Sequence, residues 1–377
     1  MIYLDNSATT RPFDSVIDTM DQTMRECYFN ASAAYKPAVD ADRAIRTCRQ
    51  SIASQLGTQE SGIIFTGGGT ESDNLAILGV AATLRHPSNF VCSSIEHPAV
   101  AETIRRVEQL GHTVRVMPID ARGIIDLKAC EEIIDEHTAL VSCMQVSNET
   151  GAIQPIAEVA KLARSRNPNV CVHVDGVQGF MRVPMHMERM GVDLYALSGH
   201  KIHGPKGVGV LAIRSGVRLV PQITGGGQEK GLRSGTEPTA QTAAFAAAVE
   251  AGRASLERDL AHMRELKDYA ARTLREQVPG LELIGAGTAP HILPVTLPGY
   301  KSEVLVRVLG DMGICVPAGS ACHRGAPSHV FAALPLTKGQ LDGILRISFS
   351  YDTAREDVDA LVQGLKEAQA QLFTSLS

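Results

Sequence analysis

Between residues 61 and 215 the chain alternates short apolar runs with segments of helical period, and this alternation limits the fold more than any other feature. GIIFT (62–66) leads through a glycine turn to a helix across Leu75 to Leu84, NFVCSSI (89–95) precedes a helix near 98–110, and TVRVMPI (113–119) precedes one near 126–136. ALVSCMQV (139–146) leads to a helix near 155–165, VCVHVD (170–175) to a short connection, and VDLYALS (192–198) to a Gly/Pro turn and the strand GVGVLAI (207–213). Several of these runs are continuous in Val, Ile and Leu, the pattern of strands covered by helices on both faces. The expected class is α/β, with an open and mostly parallel sheet.

Residues 239–277 form a long Ala-rich helical stretch that can carry the chain out of this layer. Beyond it, LELIG, HILPVTL and LRISFSY read as strands, and EVLVRVLGDMG and EDVDALVQGLKEAQAQL as helices. At 377 residues the chain is longer than one core usually supports, so two domains are expected. These are a large α/β domain over 13–255 and a smaller α+β domain over 256–377, with segment 1–12 near the latter and near the active site.

The hydrophobic fraction is 44%, the charged fraction 20% and the net charge -5, with no block of like charges. Neither nucleic acid nor an anionic membrane is an expected partner. MIYLDNSATTRP has no basic stretch followed by an apolar one, and no run approaches the ~18 apolar residues of a membrane helix, so a cytoplasmic location is expected. Eight cysteines include no C-x-x-C pair and no His/Cys knuckle, so neither a metal site nor a disulfide scaffold is signalled.

Chemistry concentrates at strand ends. FTGGGTES (65–72) joins a strand to a helix, so free amides and the helix dipole around Gly69, with the Thr70 hydroxyl, favour a phosphate. Asp175 closes VCVHVD, where an open sheet has its crevice, and could pair with a protonated pyridine nitrogen or simply cap a turn. His97 closes NFVCSSIEH and could stack on a ring and exchange protons, or cap the helix that follows. Asn148 and Gln178 are strand-end amides that could reach a ring oxygen or serve as turn residues. Lys201, in SGHKIHGPKG, can form a Schiff base, with Ser198 and His200 beside it as phosphate donors, and RSGT (233–236) offers another anion loop. Arg346 is a charge inside the apolar run ILRISFS, suited to a substrate carboxylate or to a buried ion pair. Cys322 lies in VPAGSACHRGAPSHV, a segment without helical or strand period that reads as a mobile surface loop carrying a thiol.

These residues resemble one known family. The segments YLDNSATT (3–10), FNAS (29–32), FTGGGTESDNLAI (65–77), SIEHPAV (94–100), QVSNETGAIQPI (145–156), HVDGVQ (173–178), SGHKIHGPKG (198–207), GGGQEKGLRSGT (225–236), GSAC (319–322) and LRIS (345–348) are similar, in order, to those of the cysteine desulfurases. These are pyridoxal-phosphate enzymes of the class V aminotransferase group with fold type I. The resemblance implies that Lys201 is the Schiff-base lysine, that Asp175 pairs with the pyridine nitrogen and that His97 stacks on the ring. It implies Gln178 and Asn148 at the ring face and edge, and phosphate binding by Gly69, Thr70, Ser198 and His200, with Thr236 supplied by the neighbouring subunit of a homodimer. Arg346 would bind the carboxylate of L-cysteine, which becomes alanine. Cys322 would receive the sulfur as a persulfide and hand it to an acceptor protein, in iron-sulfur assembly or another sulfur-using route.

The chain departs from the family at His323-Arg324-Gly325, in a slightly shorter loop after Cys322, and in lacking a histidine after FNAS. The adjacent cations are expected to favour thiolate at Cys322. Two other readings use the same residues: a selenocysteine lyase or other class V lyase or aminotransferase, and a partner-dependent sulfur-relay scaffold with low turnover of its own.

Overall fold

The computed structural model describes residues 1–319 and 328–372, so the expected thiol Cys322 lies outside the described residues. A two-residue strand, β1 (Ile2–Tyr3), and two helices, α1 (Asp14–Glu26) and α2 (Lys36–Leu56), precede the alternating region. Strands β2 (Ile63–Thr66), β3 (Asn89–Ser93), β4 (Thr113–Met117), β5 (Thr138–Met144), β6 (Cys171–Asp175), β7 (Leu194–Ser198) and β8 (Gly209–Ile213) then form one seven-stranded sheet, in the order β2-β8-β7-β6-β5-β3-β4. β3 to β7 run parallel where they pair, whereas β8 is antiparallel to both β2 and β7.

Between the strands run α3 (Gly69–Ala81), α4 (Pro98–Gln109), α5 (Leu127–Cys130), α6 (Ile156–Arg166) and α7 (Met187–Met190). The two-residue period of each strand sends neighbouring side chains into two different cores. Phe65, Val141, Val174 and Leu197 pack with Ile52 of α2 and Val159 of α6, while Ile64, Leu140 and Leu211 pack with Ile77 of α3 and Ile104 of α4. Burial of each such side chain contributes about 1.5–3 kcal/mol. This double covering explains the unbroken apolar runs.

The helix expected near 126–136 stops after Cys130. Arg115 Nη1 takes the carbonyl of Ile133 at 2.9 Å, and the Asp135 carboxylate accepts from the His137 amide at 3.0 Å, turning the chain into β5. Local side-chain bonds of this kind compete directly with a helical ladder.

α8 (Thr239–Gln277) spans roughly 58 Å at 1.5 Å per residue. Its first half gives Phe245 and Val249 to the core around the seven-stranded sheet, and its second half gives Met263, Leu266 and Leu274 to another core. That second core is completed by an antiparallel sheet of β9 (Glu282–Leu283), β10 (Ile292–Thr296) and β12 (Ile344–Ser348), and by α9 (Ser302–Asp311) and α12 (Arg355–Gln371). β11 (Ile314–Cys315) pairs in parallel with β1, and Asp5 bridges to Ser348. The first residues of the chain thus join the layer that carries Arg346. Among the described residues no helix is long and apolar enough to cross a membrane, and no cluster of His, Cys, Asp or Glu could hold a metal ion.

Candidate active site

The carboxyl ends of β2, β3, β5, β6 and β7 converge on a cavity of about 380 Å³. Its lining includes Gly69, Thr70, His97, Asn148, Asp175, Gln178, Ser198, His200, Lys201 and Arg346. Every cofactor or substrate residue expected from sequence therefore meets in one place, apart from Thr236. That threonine is exposed, in a segment without regular structure, and lines no part of this cavity in its own subunit.

The floor is polar and buried. Asp175 is only 5% exposed, and its Oδ1 accepts from the Val177 amide at 2.9 Å. Burial raises its pKa, against the opposing pull of His97, the Val177 amide and Lys201. No described cation comes within ion-pair distance of it. His97 caps α4: its Nδ1 accepts from the Ala99 amide at 3.1 Å, so the neutral imidazole carries its proton on Nε2. The following Pro98 holds His97 extended at the helix start. Burial lowers the His97 pKa.

Beneath Asp175 lie groups that the sequence reading did not single out. Asp73 Oδ1 and His173 Nε2 face each other at 3.3 Å, both buried and outside hydrogen-bond geometry, while His173 Nδ1 meets Ser142 Oγ at 2.9 Å. Burial, with Asp175 and Glu96, pushes the Asp73 carboxyl well up, and burial pushes His173 down to about 3. Glu96 accepts from the Ser93 hydroxyl and from the Met144 amide, and burial raises it to about 7.

The flank is charged. Lys201 Nζ donates to the carbonyls of Ser7 at 2.5 Å and Ala8 at 2.8 Å. Burial, aided by Arg346 and opposed by Asp175 and Asp5, brings its pKa down to about 8, which makes the neutral amine accessible near neutrality. Arg346 Nη2 bonds Asp5 Oδ1 at 2.9 Å, its Nη1 bonds the Asn148 carbonyl at 3.1 Å, and its Nε is buried without a partner. Of the two sequence alternatives for Arg346, the ion pair is present, and the side chain also lines the cavity. Gln178 is also already bonded. Its Nε2 donates to Ser7 O at 2.7 Å, and its Oε1 meets His291 Nε2 at 3.2 Å.

At the other end, α3 begins at Gly69, where an added Cβ would come within 2.6 Å of Val177 Cγ2. The missing side chain leaves the helix N-terminus open to an anion, beside Thr70 and Ser198. His200 Nδ1 meets Thr9 Oγ1 at 3.2 Å, and burial lowers its pKa to about 4. A second opening of about 790 Å³ leads outward from Gly69, Thr70, Ser198 and His200 past Lys206 and Arg233, the latter paired to Glu71 at 2.9 Å.

Pyridoxal 5′-phosphate fits this arrangement. A buried carboxylate without a cation, a helix N-terminus cleared by glycine and a lysine of lowered pKa are the three features its ring nitrogen, phosphate and carbonyl require. Asp5, Ser7, Ala8, Asp73, Glu96 and His173 fall inside segments similar to the cysteine desulfurases, but no local pattern marks their roles, since contacts such as Asp5 with Arg346 and Asp73 with His173 join distant parts of the chain.

The family model for aminotransferase class-V matches residues 2–361. A cysteine desulfurase of Nostoc sp. is 34% identical over 376 residues, covering 99% of this chain and 94% of that protein. A solved NifS-like protein superposes with a TM-score of 0.93 at 34% identity, over 98% of this chain and 100% of the other. The solved structure of SspA in complex with cysteine superposes at 0.82 with 31% identity, over 94% and 100%. With the site at its sheet edge and these matches along almost its whole length, the chain belongs to the class-V aminotransferase family, among relatives named cysteine desulfurases.

Proposed function

We propose that the protein is a pyridoxal 5′-phosphate-dependent cysteine desulfurase, which takes L-cysteine to L-alanine and passes the sulfur to Cys322 as a persulfide for collection by an acceptor protein. The observation that carries this reading is the meeting of Lys201, Asp175 and Arg346 in one cavity. Full-length relatives that bear the name cysteine desulfurase support it. When bound, the cofactor supplies an electron sink and a carbonyl that bonds amines. Lys201 would hold it covalently, Asp175 would pair with its ring nitrogen and His97 would lie over the ring. Asn148 and Gln178 would flank it, and Gly69, Thr70, Ser198 and His200 would hold its phosphate.

Arg346 orients the substrate through its carboxylate, using the donors that Asp5 and Asn148 leave free. The Lys201 amine, with a pKa near 8, then takes the proton from the substrate Cα and can return it nearby. His97 presents Nε2–H to the same space. Cys322, as thiolate, attacks the substrate sulfur: an S–S bond forms, the C–S bond breaks, and its electron pair stays with the carbon skeleton that becomes alanine. The same reading divides the chain into domains 13–255 and 256–377, with 1–12 against the second, lends Thr236 to the partner subunit of a homodimer and assigns a cytoplasmic location.

The test is to supply L-cysteine to the cofactor-loaded protein and measure alanine and sulfide together, with Cys322→Ser alongside. Equal alanine and transferred sulfur, lost in Cys322→Ser while the visible spectrum persists, is the expected result. Pyruvate as product, or turnover indifferent to Cys322, would overturn the sulfur-transfer assignment.

A further inference from the structure

Two main-chain carbonyls, Ser7 O and Ala8 O, hold the Lys201 amine. A neutral amine has two hydrogens and one lone pair. With both hydrogens given to these oxygens, the lone pair is left free on a side chain that lines the cavity with Asp175, His97 and Arg346.

These carbonyls are themselves held in place. The Ser7 amide donates to Ser348 Oγ at 2.9 Å, and Ser348 is fully buried two residues beyond Arg346. The Tyr3 hydroxyl shares its one hydrogen between the carbonyls of Asp5 at 3.1 Å and Thr9 at 2.9 Å, closing the turn that presents Ser7 and Ala8. The Thr10 hydroxyl donates to His200 O at 2.9 Å and accepts from the His203 amide at 2.8 Å. The lysine turn and the segment facing it are therefore one bonded unit.

We propose that the carbonyls of Ser7 and Ala8 are the docking place of the Lys201 amine whenever it is not bonded to the cofactor, and that they aim its lone pair into the cavity. This deepens the functional reading given above and rests on it. When the lone pair takes a proton from the substrate carbon, the resulting ammonium keeps two N–H bonds on Ser7 and Ala8. The third N–H faces the cavity, from which that proton can be returned. Tyr3 and Ser348 are positioning residues in this device, since neither touches the reacting atoms.

The test compares native protein, Tyr3→Phe and Ser348→Ala, each stripped of cofactor. One measurement is the rate at which added pyridoxal 5′-phosphate becomes covalently attached to Lys201. The other is the affinity for pyridoxamine 5′-phosphate, which shares the ring and phosphate but has no carbonyl for the lysine to bond. Both variants are expected to slow attachment about tenfold, as misaimed reacting groups do, while pyridoxamine 5′-phosphate affinity stays within about twofold. Unchanged attachment rates, or rates and affinities falling together, would overturn the proposal. If the native protein attaches no cofactor at Lys201, the functional reading itself fails.

Discussion

Asp175 and Arg346 face the same cavity from surroundings built in different ways. Asp175 ends a central strand near Asp73, His173 and Glu96, where burial pushes the two acids up and the imidazole down. Arg346 sits 13% exposed in β12 and already has an anion, Asp5, beside it. The floor lacks a cation before any ligand arrives, whereas the flank is compensated in advance. A group bringing positive charge to the floor gains a buried partner, and a carboxylate arriving at the flank has to share Arg346 with Asp5.

Asp175→Asn attacks the floor and carries the largest expected effect. Removing the carboxylate proposed to pair with the ring nitrogen should weaken pyridoxal 5′-phosphate binding about a hundredfold, read by spectrophotometric titration of the stripped protein. Unaltered affinity would show that the floor supplies no ionic partner. Asp5→Asn attacks the flank instead. Loss of the charge that shares Arg346 with the substrate should lower KM for L-cysteine about tenfold with little change in kcat, in steady-state assays. Asp5 also raises the Lys201 pKa, so the acid limb of the pH–rate profile should move down in the same variant. A fall in kcat at constant KM would instead mean that Asp5 acts on the chemical step.

The smallest expected effect belongs to Glu96→Gln. Glu96 has a folded pKa of about 7, above its ordinary value of 4.5, so the folded state holds this proton more tightly than the unfolded chain does. The resulting stability is fully present below about pH 4.5 and is lost as pH rises through about 7. Glutamine stays neutral throughout. The melting temperature of the variant relative to native should therefore climb by about a few degrees between pH 5 and 8, whereas a constant offset would contradict a raised Glu96 pKa.

This contrast between floor and flank is also a contrast in legibility. Asp175 ends its strand, and Gly69, His97 and Lys201 each follow theirs within a few residues, so unbroken apolar runs ending in polar residues suffice to locate them. The flank depends on partners far apart in the chain: Asp5 meets Arg346 across 341 positions, and Ser7 meets Ser348 across the same separation. No local period encodes such pairings; they follow from β1 joining β11 and from Asp5 bridging to β12. Gln178 was legible as a site residue, but its commitment to Ser7 O and His291 was not. The premature end of α5 has a similar origin, in Arg115 of the neighbouring strand claiming a carbonyl that a helix would have used.

The most direct test of a shared site is to load the protein with pyridoxal 5′-phosphate, reduce it with borohydride and locate the added mass by peptide mapping. A single modification on Lys201, prevented when excess pyridoxamine 5′-phosphate fills the cavity first, is the expected result. Attachment at another lysine, or none at all, would contradict the assignment of this cavity and of everything built on it.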